Sequence, residues 1–324
     1  MKHSTGKINP GQLWKLFRGY NLIFIALTQY MFKFLIIDSL VDEHMISFSD
    51  NFIAHHRLLF LMLVLSTVFV AAAGYVINDI YDTATDKINR PGKNIVGTVI
   101  SEKQAKTLYH SLNILGIALG FFTFFALGKP SLVTVHLLVS AMLYLYAVKH
   151  QCNGFLGNVF VSFSTSLTVL LVWLFEFYSL LINQAGFYLD DTQSYVLIFG
   201  YAVFAFVFTL LREWAKDLED MEGDRKTGCR NFIVKQGTEK GKRILAVAIV
   251  VSSVLVGVFQ YFLLIYNDGH TLFNALFVVI IVINLVYALP LTLRGKTKND
   301  FKKLSSVLRL QMLNGIIYML FFLL

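Results

Sequence analysis

The sequence has little charge for its length, few prolines and only two cysteines. Charged residues make up 15% of the 324 residues, whereas soluble domains carry about 25%, which argues against a water-soluble globule. Cys152 and Cys229 could form at most one disulfide, which excludes a disulfide-rich scaffold. Four prolines and no Gly/Ser-rich stretch leave no linker, so we expect a single domain over residues 1–324.

The chain is instead rich in long apolar runs. Hydrophobic residues make up 56% of the chain, with 30 phenylalanines and a mean hydropathy of +0.63. A bilayer core needs roughly 20 apolar helical residues, and nine runs approach this length, so we predict an all-α polytopic membrane protein with nine transmembrane helices. The runs are Phe17–Ile37, Leu58–Ile80, Thr107–Leu127, Leu132–Val148, Phe155–Ile182, Tyr195–Leu211, Ile244–Ile265, Leu272–Leu291 and Val307–Leu324.

Basic residues are distributed unevenly across the predicted membrane. If the N-terminus is cytoplasmic, 25 of the 28 Lys and Arg residues lie in cytoplasmic segments or at the helix ends beside them. Cytoplasmic loops normally carry such an excess, so we predict an inner-membrane protein with a cytoplasmic N-terminus and its C-terminus at the outer face. The net charge of +8 then reflects membrane orientation, and no nucleic-acid partner is expected.

One acidic pattern, Asp-x-x-Asp-x-x-x-Asp, occurs twice where an apolar run meets the cytoplasmic side. The two copies lie within residues 78–91 and 212–225 and are displaced by 138 residues, which suggests two related halves. This spacing places three carboxylates on one face of a helix. The motifs supply Asp79, Asp82 and Asp86, and Asp217, Asp220 and Asp224.

Stacked carboxylates repel one another, so a cation is expected among them. Hard oxygen ligands without His or Cys favour Mg²⁺, with Mn²⁺ as the alternative. Mg²⁺ in turn prefers one or two carboxylates together with phosphate oxygens, which points to a diphosphorylated substrate. Basic residues on the same side would neutralise the diphosphate leaving group. They are Arg90, Lys93, Lys149, Arg212, Lys216 and Arg225.

These motifs resemble the UbiA-type family of intramembrane prenyltransferases. The first copy reads Asn-Asp-x-x-Asp-x-x-x-Asp-x-x-Asn-Arg-Pro from residue 78, and the second reads Lys-Asp-x-x-Asp-x-x-x-Asp from residue 216. The resemblance implies a helical bundle around a central cavity that opens into lipid. It also implies Mg²⁺-dependent transfer of a prenyl group from a prenyl diphosphate to a lipophilic or aromatic acceptor. Further matching residues are Arg18, Asn21, Tyr144, Tyr146, Lys149, Gly157 and Asn158.

The resemblance also implies roles for individual residues. Phosphate contacts would come from Arg90, Lys149 and Lys216, and Tyr144 or Tyr146 would lie near the allylic carbon. Where many members have a second arginine this chain has Lys93, which keeps the charge but loses the bidentate geometry. Metal and diphosphate would be bound by Asn78, Asp82, Asp86, Asp220 and Asp224, with Asp79 and Asp217 in the same shell.

Several alternatives stay open at this level. The loops look most similar to the branch that transfers geranylgeranyl groups to geranylgeranylglycerol phosphate, and prenylation of an aromatic quinone precursor is the alternative. A secondary transporter also fits an internal repeat, but its acids should lie near the bilayer midplane. A lipid-synthesis enzyme that uses a nucleotide-activated alcohol should have one acidic cluster rather than two.

Some polar residues allow two interpretations from sequence. The aromatic rings of Tyr81, Tyr144 and Tyr146 could stabilise an allylic cation or belong to the interfacial aromatic belt. Asn158 could form a helix–helix hydrogen bond or line the substrate pocket. Lys33, in the first span, is expected to snorkel outward, and Glu176 to reach a polar partner or the outer interface.

Overall fold

The computed structural model describes residues 8–40, 50–89, 92, 94–182, 192–266 and 278–320. These residues are mainly helical, and one pairing of two-residue strands, β1 and β2, is the sheet found among them. The elements are α1 (Pro10–Leu16), α2 (Gly19–Met31), α3 (Asp50–Tyr81), α4 (Thr83–Asn89), α5 (Glu102–Ala126), α6 (Thr134–Leu145), β1 (Asn153–Gly154), α7 (Leu156–Ile182), α8 (Thr192–Lys226), β2 (Arg230–Asn231), α9 (Phe232–Gln236), α10 (Thr238–Tyr266), α11 (Val278–Arg294) and α12 (Lys298–Met319).

Seven of the described helices are long and apolar enough to cross a membrane. They coincide with the first seven predicted runs, and the prediction of an all-α, multi-pass membrane protein is confirmed. Within the eighth run, Leu272–Leu291, the structure describes residues 278 onward, which belong to the short apolar helix α11. The ninth run overlaps α12, which is not among the seven candidates. A total of nine spans therefore stays a prediction.

The described helices belong to two compact units. The first contains α1 to α6 and the C-terminal part of α7, and the second contains the N-terminal part of α7 and α8 to α12. Each unit carries one acidic motif. The predicted single domain over residues 1–324 stays a prediction.

Small residues let the helices of the first unit approach closely. A Cβ atom added to Gly116 of α5 would lie 2.8 Å from Val70 Cγ2 and 2.9 Å from the carbonyl oxygen of Ser66 on α3. A Cβ atom on Gly74 would lie 2.7 Å from Leu143 Cδ1 of α6. Contacts of this kind are typical of helices packed within membranes. Larger side chains at either glycine would force α3 away from its neighbours.

A buried hydrophobic cluster supports the C-terminal end of α3 in the same unit. Residues 94–100 contribute Ile95, Val96 and Ile100 to this cluster, and the backbone of Gly97 among them lies in the left-handed region at φ +83°. This packing fixes the helix end from which the first acidic motif projects. The cluster consists of Leu16, Ala73, Val76, Ile77, Ile80, Ile95, Val96, Ile100, Ala105, Tyr109 and Ala147.

Lys33 does not snorkel outward, so that prediction is wrong. It lies in the π-helical segment Phe32–Ile37 that continues α2, and its ammonium group contacts Glu176 Oε1 at 2.8 Å. Glu176 Oε2 lies 2.9 Å from His56 Nε2. The side chains of Lys33, Glu176 and His56 are 6%, 2% and 12% exposed. The polar partner expected for Glu176 is therefore present, within the first unit.

The second unit joins two loops covalently. Cys152 and Cys229 form a disulfide across a separation of 77 residues. Beside it, the backbone N–H of Arg230 donates to the carbonyl oxygen of Cys152 at 2.9 Å, and β1 pairs with β2 in parallel. The loop that precedes α7 is thus held against the loop that follows α8.

Candidate functional site

The first acidic motif spans the junction of α3 and α4 rather than one uninterrupted helix. Asp79 lies on α3, Asp82 in the single-residue break, and Asp86 on α4. The backbone hydrogen bonds nevertheless continue, because the N–H of Asp82 donates to Asn78 O and that of Asp86 to Asp82 O, both at 2.8 Å. The three carboxylates therefore keep the helical spacing predicted from sequence. All three are partly buried.

Asn78 holds one carboxylate of this motif in place. Its side chain is 6% exposed, and its amide Nδ2 donates to Asp82 Oδ2 at 2.5 Å. This hydrogen bond fixes the orientation of the Asp82 carboxylate and therefore also the position of its other oxygen, Oδ1. The predicted phosphate ligands Arg90 and Lys93 lie outside the described residues.

Arg18 and Asn21 connect the start of α2 to this motif. The Arg18 guanidinium contacts Asp79 Oδ1 at 3.2 Å and lies 4.7 Å from the ring centroid of Tyr75. Asn21 donates to the Tyr75 hydroxyl at 3.2 Å. Burial alone would lower the pKa of Arg18, but the negative charges of Asp79 and Asp82 raise it above its usual value. Arg18 thus stays positively charged beside the carboxylates.

The second acidic motif lies wholly on α8, and two amides from other segments hold it. Asn158 of α7 donates to Asp217 Oδ2 at 3.1 Å, so it forms a helix–helix hydrogen bond that ends on the motif itself. Asn231, at the start of α9, donates to Asp224 Oδ2 at 2.7 Å. Asp224 is buried, and Asp217 and Asp220 are partly buried.

Acidic and basic partners surround this second motif. Glu213 forms ion pairs with Arg212 at 3.1 Å and with Lys216 at 3.0 Å. Lys298, at the start of α12, lies 3.7 Å from Asp220 Oδ1. Arg225 is exposed at the end of α8. Two of the cations predicted to bind diphosphate are thus already oriented by a buried glutamate.

The predicted tyrosines and Lys149 lie in the first unit. Tyr144 is 40% exposed and stacks on Tyr109 with ring centroids 6.4 Å apart. Tyr146 and Lys149 lie in the π-helical segment Tyr146–His150 that follows α6. Tyr146 is partly buried, and Lys149 is exposed. Their roles toward a prenyl chain stay predictions.

Four residues that contact the predicted site residues were not identified from sequence. Tyr75 could have been found, because it lies one helical turn before Asp79 in the chain. Glu213 could also have been found, since it lies between two predicted cations. Asn231 and Lys298 are separated from their aspartate partners by loops or helices, and no local pattern marks them.

The donor set fits a hard divalent cation. The two motifs offer carboxylate oxygens and contain no His or Cys. Mg²⁺ and Mn²⁺ prefer such oxygen ligands. Within the described part of the chain, no three His, Cys, Asp or Glu side chains converge tightly enough to enclose a metal ion.

Comparison with known proteins identifies the class. Residues 49–314 match the model of the UbiA prenyltransferase family. The chain belongs to this family, as its motifs predicted, and it is a prenyltransferase.

Individual relatives agree with this assignment. Digeranylgeranylglyceryl phosphate synthase of Methanosphaera stadtmanae is 31% identical over 252 residues, which cover 76% of this chain and 81% of the relative. The synthase of Methanobrevibacter smithii is 31% identical over 253 residues, 78% of this chain and 83% of the relative.

Solved structures share the fold. A structure of digeranylgeranylglyceryl phosphate synthase matches with a TM-score of 0.61 at 24% identity, over 95% of this chain and 96% of that chain. A UbiA homologue from Archaeoglobus fulgidus bound to GPP and Mg²⁺ matches with a TM-score of 0.59 at 17% identity, over 95% and 99%.

Proposed function

We propose that this prenyltransferase moves a geranylgeranyl group from geranylgeranyl diphosphate to geranylgeranylglycerol phosphate, releasing diphosphate. The observation that carries the proposal is the repeated aspartate motif, each copy with an amide that fixes a carboxylate oxygen. Relatives that bear the synthase name across three quarters of the chain support this donor and acceptor. Prenylation of an aromatic quinone precursor is the alternative outcome.

In this proposal each motif binds Mg²⁺ and the diphosphate of the donor. Asn78, Asp82 and Asp86 serve in the first unit and Asp220 and Asp224 in the second, with Asp79 and Asp217 in the same shell. Mg²⁺, when bound, supplies the positive charge that stabilises the departing diphosphate. Mn²⁺ is expected to substitute for it.

The cations near the motifs contact the phosphate oxygens as negative charge develops on the leaving group. Support comes from the ion pairs with Glu213, which orient two of them before substrate arrives. Interactions that strengthen in the transition state are those that accelerate the reaction. Arg18, Asn21 and Asn158 are proposed to bind the same substrate, and the proposed phosphate ligands are Arg90, Lys93, Lys149, Arg212, Lys216 and Arg225.

The allylic carbon must be kept from water once the carbon–oxygen bond weakens. Tyr144 and Tyr146 are proposed to lie near it, and each aromatic face would contribute about 0.5–2 kcal/mol of cation–π attraction. Stacking on Tyr109 keeps the Tyr144 ring in a fixed orientation. The acceptor hydroxyl oxygen forms the new ether bond to the allylic carbon, the bond from that carbon to diphosphate breaks, and the hydroxyl proton leaves to the released diphosphate or to water.

The experiment uses the detergent-solubilised full chain, Mg²⁺ and labelled geranylgeranyl diphosphate. Geranylgeranylglycerol phosphate, an aromatic quinone precursor and buffer are compared as acceptors, and both labelled lipid and released diphosphate are measured. Diphosphate release that depends on the phosphorylated lipid is the expected result. Release with the aromatic acceptor alone would transfer the proposal to quinone precursors.

Asp220→Asn tests the role of the second motif. Removing the charge without changing the volume should reduce turnover by at least about a hundredfold, because electrostatic groups at reacting centres contribute this much or more. Glu222→Gln is the matched control, since Glu222 lies on the same helix but its side chain is 81% exposed and paired with Lys226. Near-normal turnover of Asp220→Asn would contradict the assignment.

We also propose that the N-terminus and both motifs face the cytoplasm, with the C-terminus at the outer face. The support is the concentration of basic residues in the loops on one side of the predicted spans.

A further inference from the structure

Asn231 belongs to neither acidic motif, yet it contacts one. It is 3% exposed at the start of α9. Its Oδ1 accepts the backbone N–H of Val234 at 2.9 Å, which caps the helix. Because that oxygen must accept, the amide nitrogen is the atom that faces Asp224, and it donates to Oδ2 at 2.7 Å. The orientation of the amide is therefore fixed by chemistry from both sides.

The amide compensates for a difference between the two motifs. In the first copy, the residue before the aspartates is Asn78, which donates to Asp82. The residue 138 positions later is Lys216, which offers no amide. The second copy instead receives amides from outside the motif, through Asn158 to Asp217 and Asn231 to Asp224.

The segment that carries Asn231 is held by several independent contacts. Cys229, two residues earlier, is bonded to Cys152, and its N–H donates to the Asp224 carbonyl oxygen at 2.8 Å. Phe232, one residue later, packs on Phe155 and Trp214 with ring centroids 5.6 and 5.4 Å away. A donor mounted on such a segment loses little freedom when it fixes the carboxylate.

We infer that Asn231 is a positioning residue, which holds Asp224 through Oδ2 and so orients this carboxylate for metal binding. This inference rests on the proposed function, in which Asp224 binds Mg²⁺-diphosphate. Hydrogen bonds to ligating carboxylates orient them, and loss of such a partner typically costs 10–100-fold in metal affinity or activity. Asn231 acts through Asp224 and touches neither substrate nor metal.

Two substitutions separate this role from helix capping. Asn231→Ser keeps a side-chain oxygen that can cap α9, but its side chain is too short to reach Asp224 as well. Asn231→Ala loses both bonds. The matched control is Asn9→Ser, because Asn9 also caps a helix through its side chain but contacts no motif aspartate.

The test measures the Mg²⁺ midpoint, which is the concentration of half-occupancy obtained by fitting the rise in melting temperature with Mg²⁺, with inorganic diphosphate held constant. Binding to the folded state raises this temperature, so the measurement does not depend on turnover. The Mg²⁺ dependence of prenyl transfer is measured in parallel. In both assays we expect the Mg²⁺ midpoint to rise about tenfold for Asn231→Ser and Asn231→Ala. The midpoint should not change for Asn9→Ser. For Asn231→Ser, kcat should recover at saturating Mg²⁺.

Unchanged Mg²⁺ dependence in Asn231→Ser would overturn the inference. A lower melting temperature in Asn231→Ala without any shift in the Mg²⁺ midpoint would also overturn it, because the residue would then serve only as a cap. Failure of the proposed function is distinguishable, since the wild type would then transfer no geranylgeranyl group to geranylgeranylglycerol phosphate while the Mg²⁺ midpoints still compare the variants.

Discussion

Replacing Glu176 with Gln should destabilise the first unit strongly. Glu176 lies between Lys33 and His56, at 2.8 and 2.9 Å, and all three side chains are largely buried. The substitution keeps the size of the side chain and removes its charge. The Lys33 ammonium would then lose the carboxylate charge that it contacts at 2.8 Å, while its side chain stays largely buried.

The expected size of the effect follows from this burial. Breaking a buried ion pair by removing one partner costs about 3–5 kcal/mol, which is roughly a 150- to 5,000-fold change in the unfolding equilibrium. Replacing both partners with neutral groups removes the uncompensated charge, so Lys33→Met combined with Glu176→Gln should recover most of the loss.

The assay is equilibrium unfolding of the detergent-solubilised protein, followed by tryptophan fluorescence. Glu222→Gln again provides the control, because its pair with Lys226 has a similar distance of 2.6 Å but is exposed. It should cost less than about 1 kcal/mol. If Glu176→Gln cost no more than Glu222→Gln, or if the double variant were less stable than Glu176→Gln, the reasoning would be refuted.

Two further predictions concern the loops. Cys152→Ser should lower the free energy of unfolding by up to about 4.5 kcal/mol, because the disulfide closes a loop of 77 residues. Adding Cys229→Ser should cost nothing more. An undiminished stability in denaturant titrations would contradict a stabilising role of the disulfide. A cysteine placed at exposed Lys103 should react with an impermeant maleimide in inverted vesicles, and one at exposed Ser131 in right-side-out vesicles; the reverse pattern would overturn the proposed orientation.

The apolar helices and the motif spacing could be predicted because both are local properties of the chain. Helical hydrogen bonding through Asp82 preserved the spacing even though the helix breaks there. Contacts between distant segments could not be predicted. Lys33 was expected to snorkel because its partner Glu176 is 143 residues away, and spacing alone does not bring the two together.

The disulfide and the side-chain amide contacts also join distant segments, so they could not be predicted either. Counting cysteines allowed one bond but did not say that it forms, or that it lies beside the second motif. Asn158 allowed two interpretations because a lone amide does not reveal its partner, and Asp217 is 59 residues away. Such contacts depend on how the helices pack, which a single sequence does not specify.

Arg18 shows that stability alone does not explain this site. Its backbone is left-handed, at φ 51° and ψ 53°, which costs a non-glycine residue about 1–2 kcal/mol. A partly exposed ion pair and a cation–π contact return a similar amount. Glycine at this position would therefore fold about as well while removing the guanidinium. We therefore expect selection for thermostability to tolerate Arg18→Gly, and selection for turnover to keep the arginine.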